Sequence, residues 1–197
     1  MDAEERLRPW RVRAEQTLVA RPPFIELSVQ TVELPNGRLI DDFYQIAMPD
    51  YVCVFAETGD GQVLLLRSYR HGARKVCLNF PGGRINAGET PAAAAARELL
   101  EETGHEAIRW TSLGRFVTQA NQRCQTAYFF RAAGCRFRQA PASGDLEDQE
   151  LVLMSVDGAF AAAREGGFAV LEHVAILALA THPCLGKPAP GAGIDQG

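Results

Sequence analysis

Three glutamates, Glu98, Glu101 and Glu102, stand three and four residues apart. On a helix that spacing gathers their side chains on one face. Carboxylates this close repel, by a few tenths of a kcal/mol (roughly) per exposed pair and more when sheltered. A solvated acidic face is one outcome. A site for a hard divalent cation, Mg²⁺ or Mn²⁺, is the other, because such ions take carboxylate oxygens and water. Arg97, four residues before Glu101, is placed to brace its carboxylate. Leu99 and the small Ala92, Ala95 and Ala96 are expected to supply the buried side of the same helix.

The residues just before favour the cation. Phe80-Pro81-Gly82-Gly83 and Gly88-Glu89 place glycines where a loop must turn tightly and let its backbone approach a ligand. Amides of such a loop, and of the helix start, can face phosphate oxygens. The helix itself is predicted over Thr90 to Thr103, with Thr90 as cap, Pro91 in the first turn, five alanines next and Gly104 as the stop. Gly83, Glu89, Arg97, Glu98, Leu99, Glu101, Glu102 and Gly104 together resemble the Nudix box, G-x5-E-x7-R-E-U-x-E-E-x-G-U, with U aliphatic. At background residue frequencies, seven fixed letters coincide by accident with odds on the order of 10⁻⁸ per placement, so the likeness is specific. His105 stands where the last aliphatic belongs, a change expected to affect packing rather than chemistry.

The resemblance implies the fold of that family, an α/β (α+β) mixed β-sheet sandwiched between helices, and hydrolysis of a nucleoside diphosphate linked to another group. It implies Glu98, Glu101 and Glu102 as metal ligands, the Gly82 carbonyl as a further oxygen, and Mg²⁺ or Mn²⁺ as the cofactor. Arg97 and Glu89 would support the site. Water would attack one phosphorus in line, with a glutamate accepting its proton. Glu101 and Glu102 are the choices within the box; Glu147 and Glu150, in the later DLEDQEL segment, are the choices outside it.

Upstream, Ser68-Tyr69-Arg70-His71-Gly72 resembles the Q-Y-R-x-G element of ADP-ribose and nucleoside-diphosphate-sugar pyrophosphatases. That branch implies Arg70 as a substrate contact, with Gly83 and Arg84 beside it, and a homodimer that exchanges an N-terminal ribbon. Two positions depart from its pattern. Asn79 replaces the usual glutamate before the hydrophobic-Pro pair, and Thr118 to Gln122 lacks the expected proline. A coenzyme A or dinucleotide pyrophosphatase shares the phenylalanine before Pro-Gly-Gly, but Arg67 to Val76 lacks the coenzyme A signature. A catalytically silent ligand-binding or regulatory protein of the same fold is the other alternative. Such proteins commonly lose a box glutamate, and this chain keeps them all.

The elements that must hold these residues read as follows. Trp10–Val19, Phe24–Leu34 and Phe43–Met48 form an N-terminal antiparallel β-ribbon, turned by Pro22-Pro23 and by Asn36-Gly37. Tyr51–Glu57 and Gln62–Tyr69 form a second hairpin, with Val63–Leu66 apolar at consecutive positions as in a strand covered on both faces. Ile108–Val117, Gln125–Phe130 and Glu150–Met154 are further strands. A helix starts at Asp157 and ends near Gly166-Gly167, and the last runs from Leu171 to Thr181. The expected divisions are 1–48 for the ribbon and dimer contact, 49–182 for the catalytic domain and 183–197 for a flexible tail.

Bulk properties agree with an enzyme for small molecules. The 197 residues are 47% hydrophobic with a net charge of −4, which suits a buried core and gives no general attraction for nucleic acid or an anionic membrane. Five widely spaced cysteines without a C-x-x-C pair, a charged N-terminus without an apolar stretch, and no apolar run near ~20 residues point to the cytoplasm. His71, His105, His173 and His182 show no metal-ligand spacing and receive no role.

Overall fold

A computed structural model describes residues 7–142, 144 and 148–185. Two compact units divide the chain: one holds the residues up to Asp50 with Phe116–Thr126, the other Tyr51–Arg115 with the residues from Ala127 onward.

In the first unit β1 (Arg11–Arg21), β2 (Ile25–Glu33) and β3 (Leu39–Ala47) form an antiparallel ribbon. Gly37 takes φ 82° at the second turn, where the Arg38 amide donates to the Asn36 side chain at 3.0 Å. That is the backbone an Asn-Gly pair favours. Ile46 and Ala47 then run parallel to Arg123 and Cys124. Every residue of β1 is exposed, and buried side chains in the ribbon are few, Ser28 and Val32 among them.

The second unit carries the site. Its sheet is built on β4 (Tyr51–Thr58), β5 (Gln62–Arg70), β6 (Lys75–Asn79), the part of β9 (Arg123–Phe137) from Ala127 onward and β10 (Glu150–Ser155), with β7 (His105–Glu106) and the part of β8 (Arg109–Gln119) up to Arg115 paired to β9. β4 runs parallel to β9, whereas β5 is antiparallel to β4, β6 and β10. The sheet is therefore mixed. Among the described residues three helices accompany it: α1 (Pro91–Thr103), α2 (Val156–Arg164) and α3 (Leu171–Thr181).

The alternation of a strand explains the sandwich. Val52, Val54 and Ala56 of β4 meet Ala94, Ala95 and Leu99 of α1 on one face. Cys53 and Phe55 meet Ile176, Leu177 and Ala180 of α3 and Ala159 of α2 on the other. Both faces are covered, so consecutive positions must be apolar. The expected α+β sandwich is the fold. Among the described residues no helix is long and apolar enough to cross a membrane.

Details differ from the sequence reading. β6 and β7 were not anticipated, and β9 begins two residues earlier and runs seven further than expected. The helix expected from Asp157 starts at Val156, because the Ser155 side chain accepts the Gly158 amide as its cap. On α1, Ala92 and Ala96 are exposed; Ala94 takes their place beside Ala95 and Leu99. The flexible-tail expectation falls from residue 186 onward outside the described residues.

Candidate functional site

α1 is delimited by local chemistry. Thr90 accepts the Ala93 amide at 3.2 Å, Pro91 opens the first turn, and Gly104 closes the helix at φ 72°. A side chain at 104 would put its Cβ 2.0 Å from the Gln139 carbonyl oxygen, so only glycine fits. Burial of Leu99 anchors the helix, a side chain worth about 1.5–3 kcal/mol when fully covered. The anchored helix turns its acidic face toward the glycine loop.

That loop is held by β4. The Val54 amide donates to the Pro81 carbonyl at 2.8 Å and the Val52 amide to the Gly83 carbonyl at 2.9 Å. Neither bond uses the Gly82 carbonyl between them. Glu102, 6% exposed, accepts the Gly82 amide on its Oε2 at 2.7 Å. A Cβ on Gly83 would lie 2.4 Å from a Glu98 carboxylate oxygen. The loop and the helix thus meet at two glutamates.

Arg97 organises the rest. Its guanidinium donates to Glu89 at 2.9 Å, Glu98 at 2.8 Å, Glu101 at 2.9 Å and the Arg84 carbonyl at 3.0 Å. Hydrogen bonding from Arg97 holds the Glu89 carboxyl below its ordinary range, against a smaller opposing effect of burial. The same partners, Glu89 foremost, push Arg97 further up. Glu89 therefore stabilises the fold fully above the usual carboxylate range, and that contribution is lost as the pH falls through its lowered value. Arg97→Ala leaves four clustered carboxylates without a local cation. The expected cost is about 2–3 kcal/mol, read as a lower urea midpoint that largely recovers on adding Mg²⁺, together with a flatter acid limb in the stability profile. Unchanged stability would show that solvent screens these pairs.

The structure brings Glu89, Arg97, Glu98, Glu101 and Glu102 together with Gly82 and Gly83. Glu150 is placed elsewhere: it is exposed at the start of β10 and pairs with Arg67 across the β5 ladder at 3.4 Å. Its neighbour Gln149 points the other way and reaches Glu102 Oε1 at 3.5 Å. Glu147 lies outside the described residues. Arg84 is exposed, with its backbone bridged to Tyr51.

Among the described residues no three His, Cys, Asp or Glu side chains converge closely enough to hold a metal ion as they stand. Glu98 and Glu101 are turned to Arg97, and Glu102 to the Gly82 amide. The donor set still fits a hard cation: three carboxylates on one helical face, with glycines opposite that leave them room.

A recess of about 220 Å³ opens beside the glycine loop, lined by Tyr51, Arg70, Phe80, Gly82, Glu172 and His173 among others. His173 was assigned no role from sequence, since its partners lie about a hundred residues away in the chain. It is buried, and its Nδ1 accepts the Phe80 amide at 3.1 Å. Burial, and then the charge of Arg70, lower its pKa to about 3, so the ring is neutral with its proton on Nε2. Phe80 stacks on Phe168 at 5.7 Å, and the Leu78 amide donates to the Gly167 carbonyl at 2.9 Å. The start of α3 is thereby tied to the end of β6. His105 is also buried, donating to the Thr103 carbonyl at 2.7 Å and meeting Phe137 edge-on. It packs where an aliphatic was expected.

Comparison with known proteins places this arrangement. The NUDIX domain family matches residues 48–173, more than half of the chain. An ADP-ribose pyrophosphatase of Bacillus subtilis is 32% identical over 108 residues, 55% of this chain and 58% of that protein. A methanol dehydrogenase activator of Bacillus methanolicus is 30% identical over 150 residues, 75% of this chain and 79% of that protein. The crystal structure of an ADP compounds hydrolase superposes with a TM-score of 0.74 at 22% identity, covering 87% of this chain and 91% of the other. That last likeness speaks for the fold. The chain belongs to the Nudix family, with ADP-ribose pyrophosphatases among its relatives.

Proposed function

We propose that this protein hydrolyses the diphosphate linkage of a nucleoside diphosphate joined to another group, of the ADP-ribose or nucleotide-sugar kind, with Mg²⁺ or Mn²⁺ as cofactor. The observation that carries the reading is the meeting of Glu98 and Glu102 with the Gly82-Gly83 loop beside the Arg70 recess. Glu98, Glu101, Glu102 and the Gly82 carbonyl would hold the cation, which when bound supplies charge neutralisation at phosphate and a water of lowered pKa.

The protein's own groups do the rest. Arg70 is placed to bind a phosphate from within the recess, and Gly83 leaves backbone room for close approach. Arg97 keeps Glu98 and Glu101 on the working face, and Glu89 holds Arg97. Among the described residues Glu101, the most exposed of the three box carboxylates at 39% of its side chain, is the accessible choice to take a proton from the attacking water. Gln149, hydrogen-bonded to Glu102, biases how that carboxylate is turned. The ribbon of residues 1–48 is proposed as the contact with a second copy, supported by Trp10, Val12, Leu18 and Val19 standing exposed along it.

The test is product analysis with ADP-ribose, NADH, GDP-mannose, UDP-glucose, diadenosine polyphosphates, coenzyme A and oxidised nucleoside triphosphates, each with and without Mg²⁺. Mg²⁺-dependent release of a nucleoside monophosphate from ADP-ribose or a nucleotide sugar is expected. A second reading, action on a partner enzyme, is favoured by the breadth of the match to the methanol dehydrogenase activator. Tight nucleotide binding with no product over hours would select it.

A further inference from the structure

Asn79 is fully buried at the end of β6, directly before the Phe80–Gly83 segment. Its Oδ1 accepts from Arg70 Nε at 3.1 Å. Its Nδ2 donates to Ser68 Oγ at 3.2 Å and to the Cys77 carbonyl at 3.0 Å. These partners fix the amide's orientation twice over, because Arg70 Nε only donates and the Cys77 carbonyl only accepts. A carboxylate here would set a second oxygen against that carbonyl. The position therefore calls for a neutral amide.

Among the described residues the Arg70 side chain is held through Nε alone. Among the described residues no carboxylate lies within ion-pair distance of it, although Glu172 lines the same recess. Its charge is felt across the recess, where it helps keep the His173 ring neutral. An arginine steered by a glutamate would be directed equally well but would arrive already neutralised.

We infer that Asn79 is a positioning residue that aims the Arg70 guanidinium into the recess while leaving its full charge for an anionic group of the ligand. Taking that group to be a substrate phosphate rests on the proposed function; the device itself is a property of β5 and β6. It gives a purpose to the departure at position 79 from the glutamate pattern noted above.

Calorimetric binding of inorganic pyrophosphate to the full chain without metal separates the parts. Asn79→Asp keeps the shape and the Nε contact but neutralises Arg70. Asn79→Ala keeps the charge but releases it. Both, like Arg70→Ala, are expected to weaken pyrophosphate about tenfold, the scale of one charge-assisted contact. In turnover, Asn79→Asp should raise KM by a similar factor with kcat within about twofold, the pattern of lost uniform binding.

Wild-type affinity in Asn79→Asp would overturn the inference, as would failure of the wild-type protein to take up pyrophosphate. Should Asn79→Asp prevent folding, the cycle of Asn79→Ala with Arg70→Ala decides. No further loss from Asn79→Ala once Arg70 is gone supports coupling, and an additive loss overturns it. Weakened pyrophosphate binding in these variants, with no diphosphate hydrolysed by the wild type, would leave the inference standing and the proposed function refuted.

Discussion

Glu102→Gln is expected to lower kcat/KM by on the order of 10³-fold while shifting the melting temperature by no more than a few degrees, the loss of several kcal/mol of cation-mediated stabilisation in the transition state. The two effects separate because Glu102 has two tasks. Its Oε2 takes the Gly82 amide at 2.7 Å, and a glutamine oxygen can do the same. What glutamine cannot supply is negative charge. Since Glu102 is only 6% exposed, removing that charge also relieves a desolvation cost, so the fold is not expected to suffer. Steady-state rates at saturating Mg²⁺, read beside thermal melts, check this. A variant that retained near wild-type turnover would remove Glu102 from the ligand set.

The glycine loop yields the second large effect. Gly82→Ala would place a Cβ 2.2 Å from the Val52 carbonyl oxygen and 3.0 Å from the Cys53 Cα, both backbone atoms of β4. Nothing there can swing aside. The loop must lift from the strand, putting at risk the bonds from Val52 and Val54 that hold it. The expected loss is about 2–4 kcal/mol of stability and at least roughly 100-fold in kcat/KM, since misplacement by an ångström carries that penalty. Gly83→Ala is the informative companion. The three atoms nearest its Cβ would all belong to the Glu98 carboxylate, the end of a movable side chain. Stability should stay within about 1 kcal/mol while the rate falls. Urea melts and initial rates on both variants distinguish a loop that has moved from a ligand that has been displaced. Equal damage to stability in the two would contradict this account.

How much of this was legible in the sequence depended on how local its causes are. α1 could be read almost to the residue because Thr90, Pro91 and Gly104 act within a few positions of themselves. β4 and β5 were legible because a sheet covered on both faces demands unbroken apolar runs. β6 was not, and neither was the true start of β9. The turn before β6 has a positive φ at Arg74, and the first two residues of β9, Arg123 and Cys124, have one as well. None of these residue types advertises a turn as glycine or asparagine does. The bracing of Glu101 by Arg97 followed from helical spacing. The bonds of Arg97 to Glu89, of Gln149 to Glu102 and of His173 to Phe80 join residues that only the folded chain brings together. For Asn79 a signal existed in the departure from a glutamate pattern, but its meaning needed the β5–β6 register to set it beside Arg70.

A buried imidazole beside the recess also bears on how this protein meets mild acid. His173 stays uncharged in the folded chain down to about pH 3, whereas an ordinary histidine takes its proton near 6.5. Its support of the fold is whole above that upper value and drains away on acidification, because the unfolded chain binds a proton that the folded one refuses. The first bond at stake is the one to the Phe80 amide, two residues from Gly82. Souring the medium toward pH 5 should therefore lower the melting temperature while the folded ring is still neutral and its bond behind the glycine turn is still made.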